Sequence, residues 1–174
     1  IEGSVFAGCS ALKEIIIPDR VTKIGRGAFE NCTNLKEIII PDSVTKIGRG
    51  AFENCTNLKE IIIPDSVVEI ESSDWCNNSG TFKGCTSLEK ITLSKNMTSI
   101  PNAFQDCPNL KEIVVPEGTV EITWSEASPT SLEKIFLPKT LKEVSFEINQ
   151  LQHYDCVSHN LTAIYISNLA AWCD

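Results

Sequence analysis

The sequence predicts an α/β-type repeat solenoid, and three observations carry that prediction. Residues 12–34 and 35–57 are the same 23-residue string with a single change, Arg20 against Ser43. A Leu-led motif returns at Leu12, Leu35, Leu58, Leu88, Leu110 and Leu132, with a last strand from Leu161. Between those points the apolar residues alternate with period two rather than 3.6. A fixed repeat of 20 to 50 residues is the signature of a stacked architecture, in which each unit packs only on its neighbours.

The first side of each unit is a strand. Leu-x-x-Ile-x-Ile-Pro recurs as Leu12/Ile15/Ile17/Pro18, Leu35/Ile38/Ile40/Pro41, Leu58/Ile61/Ile63/Pro64 and Leu110/Ile113/Val115/Pro116. Leu88/Ile91/Leu93, Leu132/Ile135/Leu137 and Leu161/Ile164/Ile166 continue the series. Alternation in a β-branched run is a half-buried strand, and Pro, with no N–H for a ladder, ends it. A second apolar pair, Val21/Ile24 in the first full unit and Thr119/Ile122 in the fifth, predicts a shorter extended edge on another side. Gly-x-Gly-Ala-Phe-x-x-Cys then predicts a helical or 3₁₀ turn that drops Phe and Cys into the stack. The chain opens on Ile1 to Ala11, the second half of a unit, so it is expected to begin mid-repeat. The whole of 1–174 is read as one solenoid: a partial repeat 1–11, units from 12, 35, 58, 88, 110 and 132, and the final strand from 161.

Composition excludes some partners. The net charge of −8 argues against nucleic acid, which demands clustered Lys and Arg. No run approaches the roughly 20 apolar residues of a membrane span. Five of the eight Cys (Cys9, Cys32, Cys55, Cys85 and Cys107) fall at one repeat position and read as a ladder of buried thiols. Cys76, Cys156 and Cys173 fall outside it, and a bridge between Cys156 and Cys173 would staple the last units. His153, Asp155, Cys156 and His159 have the residue types of a zinc site, but they form one cluster without a second half, so neither a metal nor another cofactor is expected. No nucleophile elbow, phosphate loop or dinucleotide fingerprint appears, and no enzyme is expected.

If Ile15 and Ile17 point inward, Ile16 points out. The outward row is then Ile16, Ile39, Ile62, Thr92, Val114, Phe136 and Tyr165, a candidate ligand-binding stripe. Stacking of β-branched side chains along the sheet accounts for the same row without a ligand. Two charged rows run beside it. Lys13, Lys36, Lys59, Glu89, Lys111 and Glu133 form one; Glu14, Glu37, Glu60, Lys90, Glu112 and Lys134 form the other. Both change sign together at Glu89-Lys90 and Glu133-Lys134, which reads as structural charge pairing. The third unit carries about seven extra residues around Trp75, a candidate loop contact, since insertions in solenoids collect on one face.

Leu-x-x-Ile-x-Ile-Pro-x-x-Val-x-x-Ile-Gly-x-x-Ala-Phe-x-x-Cys resembles the BspA-like leucine-rich repeats, from Ile1 to about Ile122, with strand halves recognisable to Ile166. No Asn stands where common leucine-rich repeats keep an Asn ladder, and the match weakens after Leu110. The resemblance implies a leucine-rich-repeat solenoid: a right-handed superhelix with a curved parallel β-sheet on its concave side. It also implies a cell-surface or secreted protein used in adhesion and host contact, with a protein ligand such as an extracellular-matrix or host-surface protein. A structural spacer that presents another domain is the alternative.

Overall fold

The computed structural model describes residues 1–71, 80–100, 103–124, 131–146 and 163–166. Among them the regular elements are all strands, in chain order β1 Lys23–Ile24, β2 Lys46–Ile47, β3 Glu60–Ile62, β4 Glu69–Ile70, β5 Lys90–Thr92 and β6 Ser99–Ile100. They continue as β7 Glu112–Val114, β8 Glu121–Trp124, β9 Lys134–Leu137, β10 Glu143–Phe146 and β11 Ala163–Ile166. Every pairing is parallel and joins equivalent sides of neighbouring coils.

The first side forms a five-stranded sheet ordered β3-β5-β7-β9-β11. Its register aligns Ile61, Ile91, Ile113, Ile135 and Ile164, the centre of each Leu-x-x-Ile-x-Ile motif. A parallel bridge between Ile16 and Ile39 continues the same side into the earlier coils. Ile17, Ile40, Ile63, Leu93 and Val115 are buried behind it, as is the leading Leu from Leu35 to Leu132. Alternation along a half-buried strand produces this division of faces.

The second side is two three-stranded sheets, β1-β2-β4 and β6-β8-β10. In the early coils the residue after the strand donates its N–H to the coil before: Gly25 to Ile1 O, Gly48 to Ile24 O and Glu71 to Ile47 O. Among the described residues the second-side sheet does not continue from β4 to β6. Unit equivalence predicts Ile100 opposite Ile122; instead Ser99 pairs with Thr123 and Ile100 with Trp124. A two-residue step keeps the same residues on each face, so the alternation survives it.

The third side departs from the expected helical or 3₁₀ turn. Ala28 donates to Gly25 O, Glu30 to Gly27 O and Cys32 to Phe29 O, each a three-residue bond within the coil. The intervening N–H groups leave the coil altogether: Gly27 donates to Arg49 O, Phe29 to Ala51 O and Asn31 to Glu53 O. A 3₁₀ helix would turn every N–H back on its own segment. Here alternate donors serve the next coil, so the side is a row of β-turns. Such a path needs left-handed residues, with φ of 61° at Gly27, 60° at Asn31, 66° at Gly50 and 58° at Asn54. Gly and Asn are the residues that enter that region at least cost.

This side carries the two deepest columns. The rings of Phe6, Phe29, Phe52, Phe82 and Phe104 stack with centroids 5.3–5.6 Å apart and planes within 2–7° of parallel. Beside them the thiols of Cys32, Cys55, Cys85 and Cys107 are buried and free. Each thiol donates to a phenylalanine carbonyl of the coil before: Cys32 to Phe6 O at 3.1 Å, Cys55 to Phe29 O at 3.2 Å, Cys85 to Phe52 O at 3.1 Å and Cys107 to Phe82 O at 3.0 Å. The expected thiol ladder is present at those four positions, while Cys9 is exposed. Burial, reinforced by the neighbouring Cys32 thiol, pushes the Cys55 thiol up to about 12; burial does the same for Cys107. Cys76, Cys156 and Cys173 lie outside the described residues.

Two predictions follow from this packing. Thr119 takes the place of Val21, Val44 and Val67; it is buried and its hydroxyl has no partner. Thr119→Val removes an unsatisfied polar atom and should stabilise the chain by about 1 kcal/mol in urea unfolding. The thiol ladder adds a pH dependence. With folded values raised above the ordinary value of 9.0, the ladder's stabilisation is complete below pH 9. It is lost as pH rises towards about 12, because the unfolded thiols ionise first. The urea midpoint should therefore fall above pH 9, and less steeply in Cys55→Ala measured against its own neutral-pH value.

Candidate functional site

The outward row is built by the first strand of each coil. Glu60, Ile61 and Ile62 are exposed, buried and exposed in turn, as one three-residue strand with alternating faces requires. Register then places Ile62 beside Thr92, Thr92 beside Val114, Val114 beside Phe136 and Phe136 beside Tyr165. Ile16 and Ile39 are bridged to each other, and Phe52 stacked on Phe82 sets the Ile39 coil directly against the Ile62 coil. All seven residues thus share one column position. Ile16, Ile39 and Ile62 are 93%, 81% and 67% exposed, whereas Thr92, Val114 and Phe136 are half-buried. Trp75 lies outside the described residues, as do His153 and His159.

The charged rows divide along the stack. In the later coils they neutralise themselves: Lys111 meets Glu133 at 2.9 Å and Glu112 meets Lys134 at 3.1 Å. The sign change at Glu133-Lys134 thus places each residue opposite a partner of the other sign, which is the expected charge pairing. In the early coils the side chains of Lys13, Lys36, Lys59, Glu14, Glu37 and Glu60 are all exposed and form no ion pair or hydrogen bond among the described residues.

Further ion pairs lie away from the stripe. On the second side Lys46 Nζ sits 2.8 Å from Glu69 and 2.9 Å from Glu71. The hydrogen bonds that Lys46 donates to the two carboxylates raise its pKa, and Lys46 in turn lowers Glu71. At the corner after the first strand, Lys95 meets Asp65 at 2.7 Å and holds its carboxyl below the ordinary range. Among the described residues no group of three or more His, Cys, Asp and Glu could hold a metal ion.

Two features escape sequence reasoning. Before three of the leading Leu residues an Asn reaches back to the previous coil: Asn34 donates to Ser10 O, Asn57 to Thr33 O and Asn109 to Thr86 O, each at 2.7 Å. The recurrence of Asn-Leu at those boundaries was the available signal. Val68 and Val120 are exposed on the second side, a minor apolar surface that the reading of inward pairs passes over.

Known proteins agree on the architecture. The chain is similar to the crystal structure of the pneumococcal vaccine antigen PcpA, with 26% identity and a TM-score of 0.68 over 96% of this chain and 39% of that one. A leucine-rich repeat protein of Eubacterium ventriosum gives 23% identity and a TM-score of 0.60, covering 88% of this chain and 41% of that one. The T. pallidum leucine-rich repeat protein TpLRR gives 23% and 0.57, covering 84% and 63%. The last two likenesses speak to the fold alone, and the chain spans 39–63% of the length of these three structures. No curated protein matches the chain in sequence. No helix among the described residues is long and apolar enough to cross a membrane. The model of the BspA type leucine-rich repeat region, in 6 copies, matches residues 1–80 and 76–160. With that match laid over the stacked Phe and Cys columns, the chain belongs to the BspA-type leucine-rich repeat family.

Proposed function

We propose that the chain is a non-enzymatic protein-binding module of a cell-surface or secreted protein, serving adhesion or host contact. Its ligand, an extracellular-matrix or host-surface protein, lies along the row Ile16, Ile39, Ile62, Thr92, Val114, Phe136 and Tyr165. The observation that carries this reading is the exposure of Ile39 and Ile62, at 81% and 67%, although each has a coil on both sides. Apolar side chains aligned on one face and left in water mark interaction surfaces more often than isolated ones do. Phe136 and Tyr165 add aromatic positions, the residue types that dominate binding energy at interfaces. Surface display agrees with what the resemblance to BspA-like repeats implies and with the likeness to PcpA, a protein described as a vaccine antigen. A role as a spacer presenting another domain is the competing reading, and it needs no ligand on the row.

The test is binding of the purified chain to a panel of extracellular-matrix proteins and glycans, beside the double variant Ile62→Lys with Phe136→Glu. Both substitutions point away from the core, so circular dichroism should be unchanged. Loss of at least about tenfold in affinity in the variant supports the row as the binding face. Equal binding by both chains removes it, and the spacer reading then stands.

A further inference from the structure

The junction between the third coil, from Leu58, and the fourth, from Leu88, is bonded on two sides and open on the other. On the first side β3 pairs with β5, and Ile63 N–H donates to Thr92 O at 2.9 Å. On the turn side Phe82 N–H donates to Ala103 O and Gly84 N–H to Gln105 O, and the rings of Phe82 and Phe104 stack at 5.6 Å. At the earlier junctions the second side is bonded too: Thr45 N–H donates to Thr22 O, and Val68 N–H to Thr45 O. Thr98 is the equivalent of Val68 in the fourth coil. Among the described residues no backbone bond joins Thr98, or any other part of that second side, to the third coil.

One residue spans the gap. Asp65 Oδ1 accepts Lys95 N–H at 3.1 Å, and Asp65 Oδ2 meets Lys95 Nζ at 2.7 Å. The Asp65 carbonyl accepts the side-chain amide of Asn96 at 2.6 Å. At this corner the first three coils carry Asp19, Asp42 and Asp65 and the fourth carries Lys95, so the third junction is the first with opposite charges across it. Glu117 accepts Lys139 N–H at 3.4 Å at a later corner, but there β8 and β10 pair beside it. The Asp65–Lys95 pair is exposed, and exposed pairs hold weakly and yield to salt.

We infer that this junction is a hinge that opens on the second side alone, and that Asp65 is the latch that holds it closed. The first and turn sides are the pivot. Opening tilts the first three coils against the rest without separating Ile62 from Thr92. The outward row therefore changes its curve at that point and stays continuous.

The experiment is hydrogen exchange of the whole chain, read residue by residue by NMR. The reporter is Met97, whose N–H donates to Ser94 O at 3.2 Å on the open side. Its counterpart Leu141 donates to Pro138 O at 3.3 Å where the second side is paired. Asp65→Ala should speed exchange at Met97 by about twofold to fivefold, the range of one exposed pair. Asp65→Asn should fall between it and the native chain. Ile63 and Phe82, on the pivot sides, should keep their rates, and Glu117→Ala should leave Leu141 unchanged. A rise in ionic strength from about 0.01 M to about 0.5 M should speed Met97 in the native chain and not in Asp65→Ala.

Three results overturn the hinge. One is unchanged exchange at Met97 in Asp65→Ala. Another is acceleration of Ile63, Phe82 and Met97 by a common factor, which makes the pair a contribution to global stability. The third is equal acceleration of Leu141 in Glu117→Ala, which makes every such corner loose whether or not its second side is paired. Should Asp65→Ala not fold, the salt dependence of Met97 against that of Ile63 in the native chain decides alone: equal responses overturn the hinge.

Discussion

A coil of this chain cannot satisfy its own backbone; it depends on the coils on either side. On the second side the later coil donates to the earlier, as Gly48 N–H does to Ile24 O. On the turn side the earlier coil donates to the later, as Phe29 N–H does to Ala51 O, and the first strands exchange bonds in parallel register. Buried backbone groups need partners, so these inter-coil bonds fix each coil directly over the last. Everything else about the side chains follows from that superposition. Each residue type is set against its own kind about 4.8 Å away.

Like against like is tolerable for some residues and costly for others. Phenylalanines stack with rings offset and nearly parallel, a favourable arrangement of aromatic pairs. Thiols find a phenylalanine carbonyl at 3.0–3.2 Å instead of one another. Superposition is close enough at the turn that a Cβ at Gly48 would lie 2.7 Å from Arg26 N, so no larger residue fits there without a shift. Charges are the costly case, since like charges on adjacent strands repel. The later coils relieve this by reversing sign, and the early, nearly identical coils do not.

Much of this was legible in the sequence because the columns repeat. Period-two alternation identified the buried Ile61, Ile91 and Ile113, and the constant place of Phe and Cys identified the deep columns. The outward position of Ile16, Ile39 and Ile62 follows from the same alternation. Three things were not legible. Whether Gly-x-Gly-Ala-Phe becomes a helical turn or a row of β-turns depends on where Gly27 and Phe29 send their N–H groups, and their acceptors belong to another coil. Where the second-side sheet breaks, between β4 and β6, depends on hydrogen bonds between coils rather than on hydrophobicity. The sign change foretold the pairing of Glu112 with Lys134, but that Glu60, in register with Lys90, forms no ion pair among the described residues depends on where long side chains come to rest.

The outward column bears on why the two halves of the face differ. Stacking of β-branched residues along a sheet is a sufficient account of a row only where the side chains cover one another. It fits Thr92 and Val114, which are half-buried between their neighbours. It fits Ile39 and Ile62 poorly: they are flanked on both sides and still 81% and 67% exposed. Ile16 is bridged only to Ile39, so its exposure decides less. Thr92, in register with Ile62, further shows that the sheet accepts a polar β-branched residue at this position. The inward columns carry the buried packing of the stack. What they leave on the surface is an apolar strip bordered by exposed Lys and Glu side chains, and aligned strips of that kind mark interaction surfaces more often than scattered apolar residues do.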